Sequence, residues 1–540
     1  MTRIPGALLV SALLAAPASA QHEQHPTAAS SEKLGTVDFA TSCAPAVRAE
    51  FNRAVALLHS FEFRPAMEGF GRVLERDASC AIAYWGIALC HWQNPFAGIK
   101  SGPGLERGHA AAQKGLTTGS PTPRERAYIE AVAELYKDAA TTSHRDRTLA
   151  YERAMERVQR EYADDTEARM FYALAVSQTA LLSDKTYANN LKAGAILEPL
   201  FRQYPDHPGL AHYIIHAYDV PALAPKALEA AQRYAGIAPS APHALHMPAH
   251  TFTRVGYWSE SIATNIASER TALEQNVIAE ALHAMDYQAY AYLQTAQDAK
   301  ARAVLERAPG TVAKLDMNAL GGAAPPVAGK YAAAAIPARY ALERGEWAEA
   351  AALAVTPSPF PHVDAITHFA RALGAARSGR PEAAGPDIER LAALHSALLG
   401  SKDAYWAEQV DIQRRVATAW VTFAEGRRDE AIRQLRAASD SEDATDKAAI
   451  SPGPLAPARE LLGEMLLESG KAAEALAAFE ATMAKEPRRF RGAYGAARAA
   501  AAAGDRPLAR RFYQALLEIA EDADTGRPAL KEAQAFAARP

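Results

Sequence analysis

From about residue 40 to the end of the chain, apolar side chains recur three and four positions apart, in stripes broken by short polar turns. Such spacing marks amphipathic helices. It is clearest in a 34-residue unit starting at Ala456, where positions 7, 8, 11, 20, 24 and 32 are Leu462, Gly463, Leu466, Ala475, Phe479 and Pro487. Small residues at 8 and 20 let two antiparallel helices cross closely. The aromatic residue at 24 fills the gap to the next pair, and proline at 32 ends the second helix. The same set returns as Ala497, Ala509 and Tyr513, as Ala431, Leu435 and Ala438, and as Ala193, Leu197, Leu200 and Pro205. It returns again as Ala227, Ala231, Tyr234 and Pro239, and as Ala66, Phe70 and Val73 after the helix FNRAVALLHSF. The spacing predicts a helical hairpin repeated along the chain.

This arrangement resembles the tetratricopeptide repeat (TPR), and the resemblance covers nearly all of residues 40–535. It implies an all-α fold, a right-handed superhelical solenoid of antiparallel helical hairpins. It also implies that positions 2, 5, 9, 12 and 13 of each first helix line a concave groove. Residues 309–330 are rich in Gly, Ala and Pro, and residues 439–457 are acidic and then proline-rich, so both read as loops. The expected layout is an N-terminal block over 37–308, a linker over 309–330 and a C-terminal block over 331–540. Four segments, LLHSFEF (57–63), CAIAYWG (80–86), HPGLAHYIIHAYD (207–219) and PHALHMPAHTFTRVGYW (242–258), resemble a group of exported bacterial TPR proteins. That likeness implies fold and export and supplies no reaction.

The start of the chain agrees with export. Arg3, the apolar run 6–16 and the Ala18-Ser19-Ala20 site read as a signal peptide over 1–20. The expected location is periplasmic or secreted. Residues 21–36 are polar and without periodicity, and are expected to be disordered. No later run reaches 18 apolar residues, so no stable membrane insertion is expected. Alanine makes up about 23 % of the chain, which excludes a β-rich fold. A net charge of −4 argues against nucleic acid as a partner. An oxidising compartment permits a disulfide. In a stack of hairpins the helix starts after Cys43 and at Cys80 lie side by side, which predicts a Cys43–Cys80 bridge with Cys90 buried and free.

Histidine carries the candidate chemistry. Six of the 16 histidines fall within residues 207–250. His212 and His216, and likewise His246 and His250, are spaced i, i+4, which puts both imidazoles of a pair on one helix face. The two repeats start at Pro208 and Pro242, 34 residues apart, so His212 and His246 share position 5 and His216 and His250 share position 9. These four are the expected metal ligands. His243 at position 2, Asp219 at position 12, and His283 and Asp286 from the next repeat are expected as further ligands or their supports. His368, Arg254 and Arg339 are expected along the groove. Imidazole suits several transition metals, with Zn or Cu foremost. Two other readings of the cluster stay open: a metal-free groove for an anionic peptide or small molecule, and a structural hydrogen-bond cluster. No G-x-S-x-G, Walker A, H-E-x-x-H or C-x-x-C-H motif is present. The sequence reads best as an exported binding or scaffold protein that takes a peptide, protein or small molecule in its groove. A metal-dependent enzyme using the same histidines is the alternative.

Overall fold

The computed structural model describes residues 1–2, 32–100, 102–319 and 322–538. The expected signal peptide and most of segment 21–36 lie outside the described residues, apart from Met1 and Thr2. Residues 32–36 are ordered. Leu34 enters the core, Lys33 N donates to Ser240 Oγ and Thr36 N donates to Asp206 O.

The described chain is helix after helix, with no strand. Most helices pack on the next one and many also on the next but one, giving an all-α, TPR-like helical-repeat solenoid. Alanine and glycine set the close crossings. A side chain at Gly463 or Gly495 would collide with the ring of Phe479, and one at Gly86 with Phe70. The three-residue connection within a hairpin needs a left-handed residue at its centre, and Gly470 and Gly504 fill that place. In the hairpin that joins Arg48–His59 to Phe63–Arg76 the same place is held by Phe61, at φ 56°. A bulky side chain in that region costs roughly 1–3 kcal/mol. The site described below shows what the ring is used for.

Core packing does not divide at 309–330. The Asp298–Val312 helix runs through Pro309, and the next helix, Pro326–Arg344, packs along Ile278–Gln294. The C-terminal helices return to the same centre. Arg489, fully buried, binds Glu343, Glu460 and the Tyr290 hydroxyl, and Trp258 Nε1 donates to Arg488 O.

Cys43 and Cys80 form a disulfide with their Cα atoms 4.8 Å apart, and Cys90 is buried and free. The bridge closes a separation of 37 residues, for which chain entropy gives about 3–4 kcal/mol. Replacing Cys80 by Ser should lower the unfolding free energy by about that amount in urea titrations. Denatured, unreduced protein should show a single reactive thiol per chain.

Candidate metal centre

The helix Pro208–Ala217 starts on its proline and carries His212 and His216. The second pair sits on a broken helix: Pro242–His246 stops at Met247 and Pro248–Val255 resumes. Met247 keeps helical dihedrals and His250 N still bonds to Met247 O, so His246 and His250 stay on one face with ring centroids 5.0 Å apart. His283 comes from Ile278–Gln294, which is buried along its whole length.

The four expected ligands do not form one tetrad. They separate into two triads. His212, His216 and His243 have ligand nitrogens within 4.8 Å of one another, and so do His246, His250 and His283. All six rings are buried, the most exposed being His216 at 8 %. Each triad takes positions 5 and 9 of one repeat and position 2 of the next. Neighbouring first helices lie side by side, so the diagonal neighbour in the next repeat is closer than the equivalent residue.

The outer nitrogens are held. His212 Nδ1 donates to His59 O at 2.6 Å and His243 Nδ1 to Glu280 Oε1 at 2.9 Å. His246 Nδ1 donates to Asn265 Oδ1 at 2.7 Å, while Asn265 Nδ2 gives its own hydrogen to Ser261 O. His250 Nδ1 donates to Asp219 Oδ2 at 2.9 Å. An imidazole that donates from Nδ1 and is neutral carries a lone pair on Nε2. Nε2 of His212, His216 and His243 has no hydrogen-bond partner, and Nε2 of His246 and His250 face each other at 3.1 Å. Burial, reinforced by the neighbouring imidazoles, holds His212, His216 and His283 well below the ordinary histidine value. Burial does the same for His243, takes His246 down to about 3, and lowers His250 against the pull of Asp219.

Aromatic rings seal the cluster. Phe61 lies 4.4 Å from His212 and within 5.7 Å of His216 and His243, which is what its left-handed backbone achieves. Phe96 stacks on His216 at 4.2 Å, and Tyr287 touches all three rings of the second triad. The loop expected at 439–457 starts later, since the Arg428–Asp443 helix runs to 443. Its remainder lies over the site. Lys447 Nζ is 3.5 Å from Asp219, and Tyr287 Oη reaches Ala449 O and Ser451 O.

The other expected site residues are engaged with one another. Asp219 accepts from Arg254 Nε at 2.9 Å as well as from His250. Asp286 pairs with Arg339 at 2.9 Å, both fully buried, and Arg339 also donates to Ser451 Oγ, Gly453 O and Pro454 O. Neither guanidinium is offered to a ligand in an open groove, because each has a carboxylate against it: Asp219, just past the end of Pro208–Ala217, and Asp286 on Ile278–Gln294. His368 lies apart, its Nδ1 donating to Asp387 at 2.6 Å. The sequence reading missed Phe61, Phe96, Tyr287, Glu280 and Asn265. Only the HSFEF stretch hinted at the first of these. A cavity of about 560 Å³ approaches from the side of Glu62, whose Oε1 accepts from His243 N. Burial and Glu280 push the Glu62 carboxyl up to about 8.

A third set, His59, Glu167 and His207, forms a closed network in which both imidazoles donate from Nε2 to the one carboxylate. A cleft of about 750 Å³ lies elsewhere, against Tyr340, Trp347 and Phe490, and its Arg377, Arg491 and Arg527 are each paired with a carboxylate.

No family model matches the chain, and no curated protein matches it. Among solved structures it is similar to the complex of Naa15/Naa10 bound to HypK-THB, at 12 % identity and a TM-score of 0.23, over 91 % of this chain and 77 % of that one. At that score nothing about activity or partners follows from the likeness. No helix among the described residues is long and apolar enough to cross a membrane.

The lowered histidine values have a consequence for stability. Unfolded histidines titrate near ~6.5, so below that pH the unfolded chain takes up more protons than the folded one. Stability is present above ~6.5 and is lost as the pH falls, by up to about 1.4 kcal/mol per unit for each such group. Glu62, pushed up to about 8, and Glu280, also raised by burial, work in the opposite sense and offset part of this loss. Metal-free protein should lose at least about 2 kcal/mol between pH 7.5 and 5.5 in urea unfolding. The double variant His216→Gln/His250→Gln should show a shallower dependence.

Proposed function

We propose that this chain is an exported helical-repeat protein whose histidine core holds a transition metal. The contact between His246 Nε2 and His250 Nε2 carries the reading. Both rings already donate from Nδ1, so two lone pairs meet at 3.1 Å in a buried site, with the Tyr287 hydroxyl 3.3 Å from His250 Nε2. Neutral rings in that arrangement repel. A shared cation turns the repulsion into coordination, and burial supplies the unprotonated nitrogens that ligation needs. Carboxylate and amide oxygens behind metal-bound imidazoles fix the tautomer and orient the ring, which is the arrangement of Asp219, Glu280 and Asn265 here. A metal on three imidazoles retains an open coordination position. Zn and Cu both suit the donors.

The scaffold reading is favoured over the enzyme reading because two of the nearby carboxylates are engaged, while Glu62, beside the cavity, is the acid an enzyme reading would use. Asp219 is enclosed by Arg254, Lys447 and His250, and Asp286 by Arg339. At the level of the histidines the groove is filled by residues of the 444–457 loop, so a peptide or protein partner would engage other parts of the solenoid.

The reading is tested by elemental analysis of untagged protein purified from the exported fraction, together with melting of the stripped protein with added Zn, Cu, Ni, Fe or Mn. Bound metal and an upward shift of the melting temperature by several degrees with at least one ion are expected. Protein that carries no metal and melts at the same temperature with all five would instead mark the six histidines as a structural hydrogen-bond cluster.

A further inference from the structure

We propose that the core is a dinuclear centre, with one copper ion on His212, His216 and His243 and a second on His246, His250 and His283. This rests on the metal-binding reading above and adds number, partition and identity to it.

The first argument is duplication. Between positions 5 and 9 the ring centroids are 4.8 Å apart in the first triad and 5.0 Å in the second. From position 5 to position 2 of the next repeat they are 5.0 and 4.5 Å, and from position 9 to that residue 6.4 and 6.2 Å. All three separations agree within half an ångström, so the 34-residue step has copied a whole donor set. A single ion cannot use both copies. The ligand nitrogens of His212, His216 and His243 lie within 4.8 Å of one another, as do those of His246, His250 and His283, and no histidine of one set joins the other. Ring centroids 5.9 Å apart from His243 to His246 and 6.2 Å apart from His216 to His250 bring the two sets into neighbouring positions. The pattern stops at two, because the next repeat has Asp286 and Tyr290 at positions 5 and 9.

The second argument is support. Each triad has one carboxylate behind it and neither has one within it: Glu280 on His243 and Asp219 on His250. Each also has its own aromatic lid, Phe61 for the first and Tyr287 for the second.

The third argument is charge, and it selects the metal. The donor set is six neutral imidazoles in a buried site. The charged groups around it are Asp219, Glu280, Glu62, Arg254 and Lys447, and the two cations already sit against Asp219. Two divalent ions would place four positive charges against this nearly balanced shell, at a steep desolvation cost. Monovalent copper halves that charge and accepts three nitrogen donors without an anionic ligand. The geometry therefore favours a cuprous pair over a zinc pair.

The test is an anaerobic titration of stripped full-length protein with Cu(I) against a chromogenic chelator, and with Zn(II) in parallel. His216→Gln and His283→Gln serve as the variants, since these are the most exposed ring of each triad, and thermal melts confirm their folding. Ions still held by the double variant define the background from other sites. Above that background, two Cu(I) per chain are expected for the unaltered protein and one for each single variant, with at least tenfold weaker retention of Zn(II). One ion per chain, abolished by either substitution, would overturn the dinuclear proposal and leave the single-metal reading standing. Two ions with Zn(II) held as tightly as Cu(I) would overturn the choice of copper. No ion of either kind above background would overturn this proposal, and the metal-binding reading falls with it if Ni, Fe and Mn also leave the melting temperature unchanged.

Discussion

Everything around the core follows from the need to bury six imidazoles without stranding their N–H groups. A buried ring has one hydrogen to place, and a donor left unpaired costs about 1–3 kcal/mol. Four of the rings place it outward, on His59 O, Glu280, Asn265 and Asp219. Those acceptors come from four different helices or turns, spread over more than 200 residues of sequence. Fixing them fixes the relative rotation of the first helices. It also dictates the secondary pairs, since Asp219 is a buried charge and requires Arg254 and Lys447 beside it.

Much of this was legible in the sequence, because repeats turn linear spacing into spatial position. The proline starts at 208 and 242 and the i, i+4 pairs located the helices and the face that carries the histidines. The grouping into triads was less legible. A 34-residue frame draws attention to equivalent residues, whereas contact in a stack of helices is diagonal, so His243 and His283 were assigned as accessories when each completes a set. The seals were illegible for another reason. Phe96, Tyr287, Asn265 and Glu280 act through contacts that no local period announces. Arg254 and Arg339 sit at groove positions of the frame, but their carboxylate partners, Asp219 in the turn after Pro208–Ala217 and Asp286 on Ile278–Gln294, turn both inward.

Phe61 illustrates how local preference gives way at such a site. The hairpin turn favours glycine, which Gly470 and Gly504 supply, while Asn276, Ala296 and Lys402 hold the same central place in other turns. Here a strained backbone is accepted so that one ring can cover three imidazoles. The strain is small beside the loss of water exclusion that a glycine would bring, because an imidazole open to solvent regains its ordinary basicity.

The loop over the site is contributed late. Lys447 and Ser451 follow the first histidine of the core by more than 230 residues, and Asp446 pins the loop by bonding to Leu182 O and pairing with Lys185. While the chain emerges in order, the histidine helices can assemble before their cover exists, and an ion has free passage to them. Once the last third has folded back, an ion held as proposed would have to pass that cover or the cavity beside Glu62 to leave. Were a metal held as proposed, its occupancy in the finished protein would depend on when the loop closes as well as on the free-ion concentration around it.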